Sequence, residues 1–205
     1  MPIEIFTQVT AQADQLMQQY QLRKRFCIDF LQWEGRWVHE GMEYDEYDIP
    51  PTIYIIWRDQ AGIARGMVRT TPCAIPFPQM IEKNWPHLIQ DRPIPKRKNQ
   101  WEVTRFCVER CLGKDIGRVI SSIMFASEQV ARAFDIDEFW WIGPKERINK
   151  ILPHNHTYVG PGEQIGDEFC YVGYSLADNM VEPFSREFLD VDELFDIPRP
   201  PRIAA

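Results

Sequence analysis

No apolar run in this chain approaches the roughly 20 residues needed to cross a bilayer, and the opening Met1-Pro2-Ile3-Glu4 has no basic and then apolar leader pattern. No membrane insertion and a cytoplasmic location are therefore expected. Positive charge is also scarce: 23 Lys and Arg face 30 Asp and Glu, a net charge of −7. That sign suits a phosphate backbone poorly, so no nucleic acid partner is expected. The five cysteines are odd in number and form no CxxC pair, which reads as reduced thiols rather than a disulfide framework or a zinc site. Cys107 and Cys111 lie too far apart on an extended strand to share a metal. His154 and His156 follow Pro153 in a loop without a clear third ligand, which suits a turn, and no metal is expected.

The 205 residues, 44% hydrophobic and 26% charged, are enough to bury one substantial core. A single domain over 1–183 is expected, with the acidic and then Pro-rich stretch 184–205 peripheral to it. Ile3, Ile5 and Phe6 begin a strand, and Ala13, Leu16, Met17 and Tyr20 keep helical spacing to about Arg25. Residues 22–48 mix aromatics, acids and glycine without a sustained period and read as a long ordered loop. Residues 52–57 and 63–70 form a hairpin around Asp59-Gln60-Ala61-Gly62. Met80, Ile81, Trp85 and Leu88 suggest a short helix interrupted by Pro86, and 101–108 is a third core strand. Val119, Ile120, Ile123, Met124, Val130 and Phe134 mark the main buried helix. A strand at 138–142, a helix at 145–152 and a late strand at 169–174 complete a mixed sheet with helices on its faces, an α/β fold.

Five features carry chemistry: Arg23 with Trp33; Glu43-Tyr44-Asp45-Glu46-Tyr47-Asp48; Gly66-Met67-Val68-Arg69; Trp101-Glu102-Val103-Thr104-Arg105-Phe106; and Tyr158-Val159-Gly160-Pro161-Gly162-Glu163-Gln164-Ile165-Gly166. In this order, from Arg23 to Tyr174, they resemble the autoinducer synthases, the acyl-homoserine-lactone synthase family. The combination is far more specific than any one member. The resemblance implies an N-acetyltransferase-like fold, a mixed β-sheet between helices in three layers. It implies S-adenosylmethionine and an acyl thioester of acyl carrier protein or coenzyme A as substrates, no cofactor, and release of methylthioadenosine. By the same resemblance Glu102, Arg105 and Asp48 are the catalytic candidates, with Glu102 as general base. Arg23, Trp33, Asp45, Asp48, Arg69 and Phe106 would bind S-adenosylmethionine, and Thr104, Trp140, Trp141 and Ile142 would line the acyl pocket. The family places Phe four residues after the arginine matching Arg23; here Cys27 stands there, with Phe26 just before it, and a local shift would restore the aromatic contact.

Read on their own terms, Asp45 and Asp48 suit a substrate ammonium or sulfonium, or else a solvated acidic turn. The forks of Arg23 and Arg69 suit either a substrate carboxylate or that acidic turn. Glu102 and Arg105, three apart on a strand, point to opposite faces unless a bulge intervenes. Of the adjacent Trp140 and Trp141 only one can face an acyl pocket, and Trp141 is taken as that one. Lys145, Arg147 and Lys150, like Lys96-Arg97-Lys98, could receive the phosphates of coenzyme A or the acidic surface of a carrier protein. The alternative is an N-acetyltransferase-like enzyme acylating another amine, although Arg110-Cys111-Leu112-Gly113-Lys114-Asp115-Ile116-Gly117 fits its phosphate-cradling turn poorly; a non-catalytic sensor is a third reading.

Overall fold

β1 (Ile3–Thr7) leads into α1 (Ala13–Arg23), which continues without a break as a π-helical segment, Lys24–Phe30. The structure, a computed structural model, describes residues 3–33, 37–152 and 154–178. The stretch 184–205 expected to be peripheral therefore lies outside the described residues. Where a long loop is expected over 22–48, the chain instead extends the helix and then folds a small hairpin of β2 (Trp37–His39) and β3 (Met42–Tyr44). Neither piece is long enough to show a period in the sequence.

The remaining strands are β4 (Ile53–Arg58), β5 (Ala64–Pro72), β6 (Gln100–Val108), β7 (Glu138–Pro144), β8 (Thr157–Ile165) and β9 (Glu168–Leu176). They form a seven-stranded sheet in the order β1-β4-β5-β6-β7-β9-β8. Every neighbouring pair is antiparallel except β6 with β7. α2 (Met80–Asn84) and the 3-10 turn Pro86–Ile89 cross one face; α3 (Ile116–Ala133) and α4 (Lys145–Ile151) belong to the other. The three-layer arrangement is thus present.

The central strands are apolar on both sides because both sides are covered. In β4, Ile53 and Ile55 pack with Val119, Ile123 and Val130 of α3, while Tyr54 and Ile56 pack with Leu22 of α1. β7 alternates in the same way. Phe139 joins the α3 cluster, and Trp140 joins Ile81, Leu88 and Val172 on the opposite face.

Two irregularities shape the middle of the sheet. β6 and β7 pair only over Gln100–Glu102 and Glu138–Trp140; beyond that β6 stays with β5 and β7 with β9, so the parallel strands part in a wedge. In β6, Met67 pairs with Cys107 but Arg69 with Thr104, so Arg105 and Phe106 together oppose Val68 alone. This is a bulge, and Arg105 adopts the left-handed φ of 53° within it.

The motif 158–166, not assigned to a strand from sequence, lies in β8 except for Gly166 in the turn that follows, and β8 carries a second bulge between Val159 and Glu163. There Gly160 has φ +64°, and a Cβ on it would lie 2.3 Å from the Leu88 carbonyl oxygen. Gly166, at φ +60°, would meet nothing within 4 Å. Gly160→Ala should therefore lower the unfolding free energy by about 3 kcal/mol, and Gly166→Ala by about 1 kcal/mol. Urea denaturation of both variants checks this; equal losses would mean that the approach of β8 to the 86–89 turn is not tight.

Candidate active site

Six charged side chains from five parts of the chain meet on the α1 face. Arg23 ends α1, Glu43 lies on β3, Asp45 and Asp48 flank the following turn, Arg69 lies on β5 and Arg105 on the β6 bulge. Arg23 Nε donates to Glu43 Oε2 at 2.5 Å and its Nη1 to Asp48 Oδ1 at 2.7 Å. Arg69 grips Asp45 with two nitrogens, at 2.5 and 2.9 Å, and Thr104 Oγ1 with its Nε at 2.9 Å. Arg105 Nη2 donates to Glu43 Oε1 at 2.7 Å and Asp45 Oδ2 at 2.8 Å. Three positive groups thus neutralise three negative ones in a site almost without water contact, since all three arginine side chains and Glu43 are 0% exposed. Burial alone would raise the pKa of Glu43, but Arg23 and Arg105 outweigh it and hold the carboxyl below its usual range. Asp45 and Asp48 are held down in the same way by Arg69, Arg105 and Arg23.

This geometry decides several alternatives left open by the sequence. The bulge shifts strand parity by one residue, bringing Arg105 to the face that carries Glu102. The same shift turns Phe106, expected at the adenosylmethionine site, to the opposite face, where it packs with the α3 cluster. The acidic turn is not a free pair of carboxylates. Asp48 Oδ1 accepts from Arg23, Arg69 and the Tyr54 hydroxyl, and its Oδ2 from the Asp45 amide. Trp33 stands at the exposed rim, its ring 5.6 Å from the Arg105 guanidinium carbon. Cys27 fills an inward position with its sulfur 3.8 Å from that of Cys107; Phe26, beside it, packs on Phe30 and against the same apolar cluster.

Glu102 lies on the same face and is buried, yet it has no arginine partner among the described residues. Its two oxygens accept from the backbone amides of Met80, at 3.0 Å, and Ile81, at 2.8 Å, at the start of α2. Burial pushes its carboxyl up to about 7, while the two amides and the more distant Arg69 limit the rise. One strand over, Trp140 pairs with Glu102 in register, with Ile142 packed against the same cluster. Trp141 points to the other face, where its Nε1 donates to Ser175 Oγ at 2.9 Å and its ring meets Tyr158. Trp140 thus shares the Glu102 face of the sheet, and Trp141, the tryptophan expected at the acyl pocket, lies on the α3 and α4 face. Lys145, Arg147 and Lys150 lie on α4, on the Trp141 side; Arg147 pairs with Glu168, and Lys145 sits over the Tyr158 ring.

Sequence reasoning missed Glu43, which bonds two of the three arginines. Its signal was its place two residues before Asp45, on one side of an extended segment.

A profile of the family described as autoinducer synthase matches residues 7–181. An acyl-homoserine-lactone synthase of Aeromonas hydrophila is 28% identical over 104 residues, 51% of this chain and 48% of the relative. An isovaleryl-homoserine lactone synthase of Bradyrhizobium diazoefficiens is 27% identical over 137 residues, 63% of this chain and 59% of the relative. The chain thus spans about half the length of the curated relatives it matches. Among solved structures, a coenzyme-A-dependent acyl-homoserine lactone synthase, BjaI, described with SAM and isopentyl-CoA, superposes with a TM-score of 0.81. It is 19% identical, and the match covers 97% of this chain and 94% of that one.

Glu43→Gln should leave a buried guanidinium uncompensated and lower the unfolding free energy by about 3–5 kcal/mol. Because the native pKa of Glu43 is depressed, its stabilisation is present above the ordinary carboxylate range, near 4.3, and is lost as pH falls below it. The difference between wild type and variant should therefore shrink in acid. Urea titrations from pH 3 to 7 measure it, and a wild-type midpoint at neutral pH would remove the network from the stability account.

Proposed function

The chain belongs to the autoinducer synthase family, and on that premise we propose that it makes an acyl-homoserine lactone from S-adenosylmethionine and an acyl thioester of coenzyme A or acyl carrier protein. The observation that carries the proposal is Glu102. It is a buried carboxyl pushed up to about 7, on the same face as the charged network and in register with an apolar wall at Trp140. A base with that pKa suits proton removal from an amine near neutrality.

In the proposed reaction the ammonium of adenosylmethionine loses a proton to Glu102, directly or through one water. The free amine attacks the thioester carbonyl, and backbone N–H groups on the unpaired edge of β6 are available donors for the oxyanion. Collapse of the tetrahedral centre forms the amide and expels the thiol. The methionine carboxylate then attacks the carbon next to sulfonium, closing the lactone and releasing neutral methylthioadenosine. This second step needs orientation more than a further protein base. Arg23, Arg69, Arg105, Asp45 and Asp48 act as a rigid frame that positions the methionine head against Glu102, and Trp33 at the rim offers an aromatic face to the substrate. The wedge between β6 and β7 supports a thioester that crosses the sheet. Its carrier would then lie on the α4 side near Lys145, Arg147 and Lys150, and its acyl group on the side of Thr104, Trp140 and Ile142. No cofactor enters this scheme.

Purified protein given adenosylmethionine and acyl-CoA should release thiol, methylthioadenosine and lactone in equal amounts, read by mass spectrometry. Thiol release onto another amine without methylthioadenosine would favour the acetyltransferase alternative. Glu102→Gln should lower turnover about 10²–10⁴-fold. Wild-type kcat/KM should rise with pH to a plateau above about 7 as Glu102 ionises, a rise absent from the variant. Unchanged turnover with an unchanged profile would make Glu102 structural only.

A further inference from the structure

Two thiols meet beside the charged network. Cys27, on the π-helical continuation of α1, and Cys107, near the end of β6, are 80 residues apart in the chain, yet their sulfurs lie 3.8 Å apart. Both are free thiols, 1% and 0% exposed. A covalent S–S bond of about 2.05 Å is within reach of a small movement of either segment. Cys27 also stands where the family pattern places phenylalanine, so the pair belongs to this chain and not to the motif.

The two thiols are unequal. The hydrogen bond with Cys107, together with the charges of Arg105 and Arg23, outweighs burial at Cys27 and holds its thiol below the usual range. Burial and the neighbouring Cys27 push the Cys107 thiol well above it. Cys27 is thus the nucleophile of the pair and Cys107 the resolving thiol.

The location couples this chemistry to the site. Arg23 lies one helical turn before Cys27 and Arg105 two residues before Cys107, and both arginines bond Glu43. The Cys27 carbonyl also accepts from the Trp33 amide at 2.9 Å. Drawing Cys27 towards β6 therefore pulls on the rim tryptophan and on the network together.

We propose that Cys27 and Cys107 are an oxidation site, closed by hydrogen peroxide into a reversible disulfide that weakens adenosylmethionine binding. The Cys27 thiolate attacks one peroxide oxygen, the O–O bond breaks, and the hydroxide that leaves takes a proton to become water. The Cys107 sulfur then attacks the resulting Cys27 sulfenic acid. The S–O bond breaks, and the departing hydroxide takes the Cys107 proton as a second water. Two thiols are oxidised and one peroxide is reduced. The effect on binding rests on the synthase reading; the disulfide does not.

The test uses the full chain with Cys111→Ser, which removes the exposed thiol. After peroxide and alkylation of the unfolded protein, peptide mapping should find Cys27 linked to Cys107, with Cys73 and Cys170 still alkylated. Calorimetric titration with adenosylmethionine should show a dissociation constant raised about tenfold or more, as expected for site groups displaced by about 1 Å, and restored by dithiothreitol. The further variant Cys27→Ala should show no link and no response to peroxide. Cys27 and Cys107 both alkylated, or carried on to sulfinic acids without a link, overturns the inference. So does a linked protein with unchanged affinity, or a loss of affinity that dithiothreitol does not reverse or that Cys27→Ala shares. A reduced protein that binds no adenosylmethionine overturns the synthase reading and the claimed effect on binding, while the linked peptide still decides the oxidation site.

Discussion

Three guanidinium groups and three carboxylates leave water together at the end of α1, and they do so only because each is answered by another. A lone buried charge of this kind costs several kcal/mol, whereas the closed set of Arg23, Arg69, Arg105, Glu43, Asp45 and Asp48 is neutral. Much of the surrounding geometry follows from that closure. β3 is held against α1 through Glu43, and the 45–48 turn is held against β5 through the two-pronged Arg69 contact. The left-handed backbone at Arg105 costs about 1–3 kcal/mol, offset by the bonds to Glu43 and Asp45 that it makes possible.

Against this compensated background, Glu102 is the carboxyl whose charge is not matched. The α2 amides give it hydrogen bonds but no full positive charge, so burial prevails and its proton is held to near neutral pH. The same fold thus keeps three carboxylates ionised as a frame and leaves a fourth able to exchange a proton. Proximity to α2 also ties Glu102 to the apolar cover of Trp140, because Ile81 supplies both an amide to the carboxylate and a side chain to that cluster.

The layers and most elements were legible in the sequence because their signals are local. The alternating β4 residues, the long apolar face of α3 and the turn at Asp59-Gln60-Ala61-Gly62 each identify an element without reference to the rest of the chain. What was not legible depends on one-residue displacements. The bulge at Arg105 and Phe106 reverses every side-chain assignment beyond it, moving Arg105 onto the Glu102 face and Phe106 off it. Trp140 and Trp141 are equal in sequence, and only the β6–β7 register, which pairs Trp140 with Glu102, distinguishes them. The π-helical continuation of α1 and the three-residue strands of the β2–β3 hairpin are too short for periodicity. The charged motifs contained all six network members, five of which stood out as site candidates, but did not show their mutual pairing, which spans separations of up to 62 residues.

The central claim is that Glu102 titrates near neutrality while the neighbouring network carboxylates stay ionised. Its side-chain carboxyl can be followed directly by 13C NMR on glutamate-labelled protein, with Glu102→Gln providing the assignment. A midpoint near 7 for the Glu102 signal, with the Glu43 signal titrating below the ordinary glutamate range, is the expected result. A Glu102 midpoint in the ordinary glutamate range near 4.3 would contradict the account.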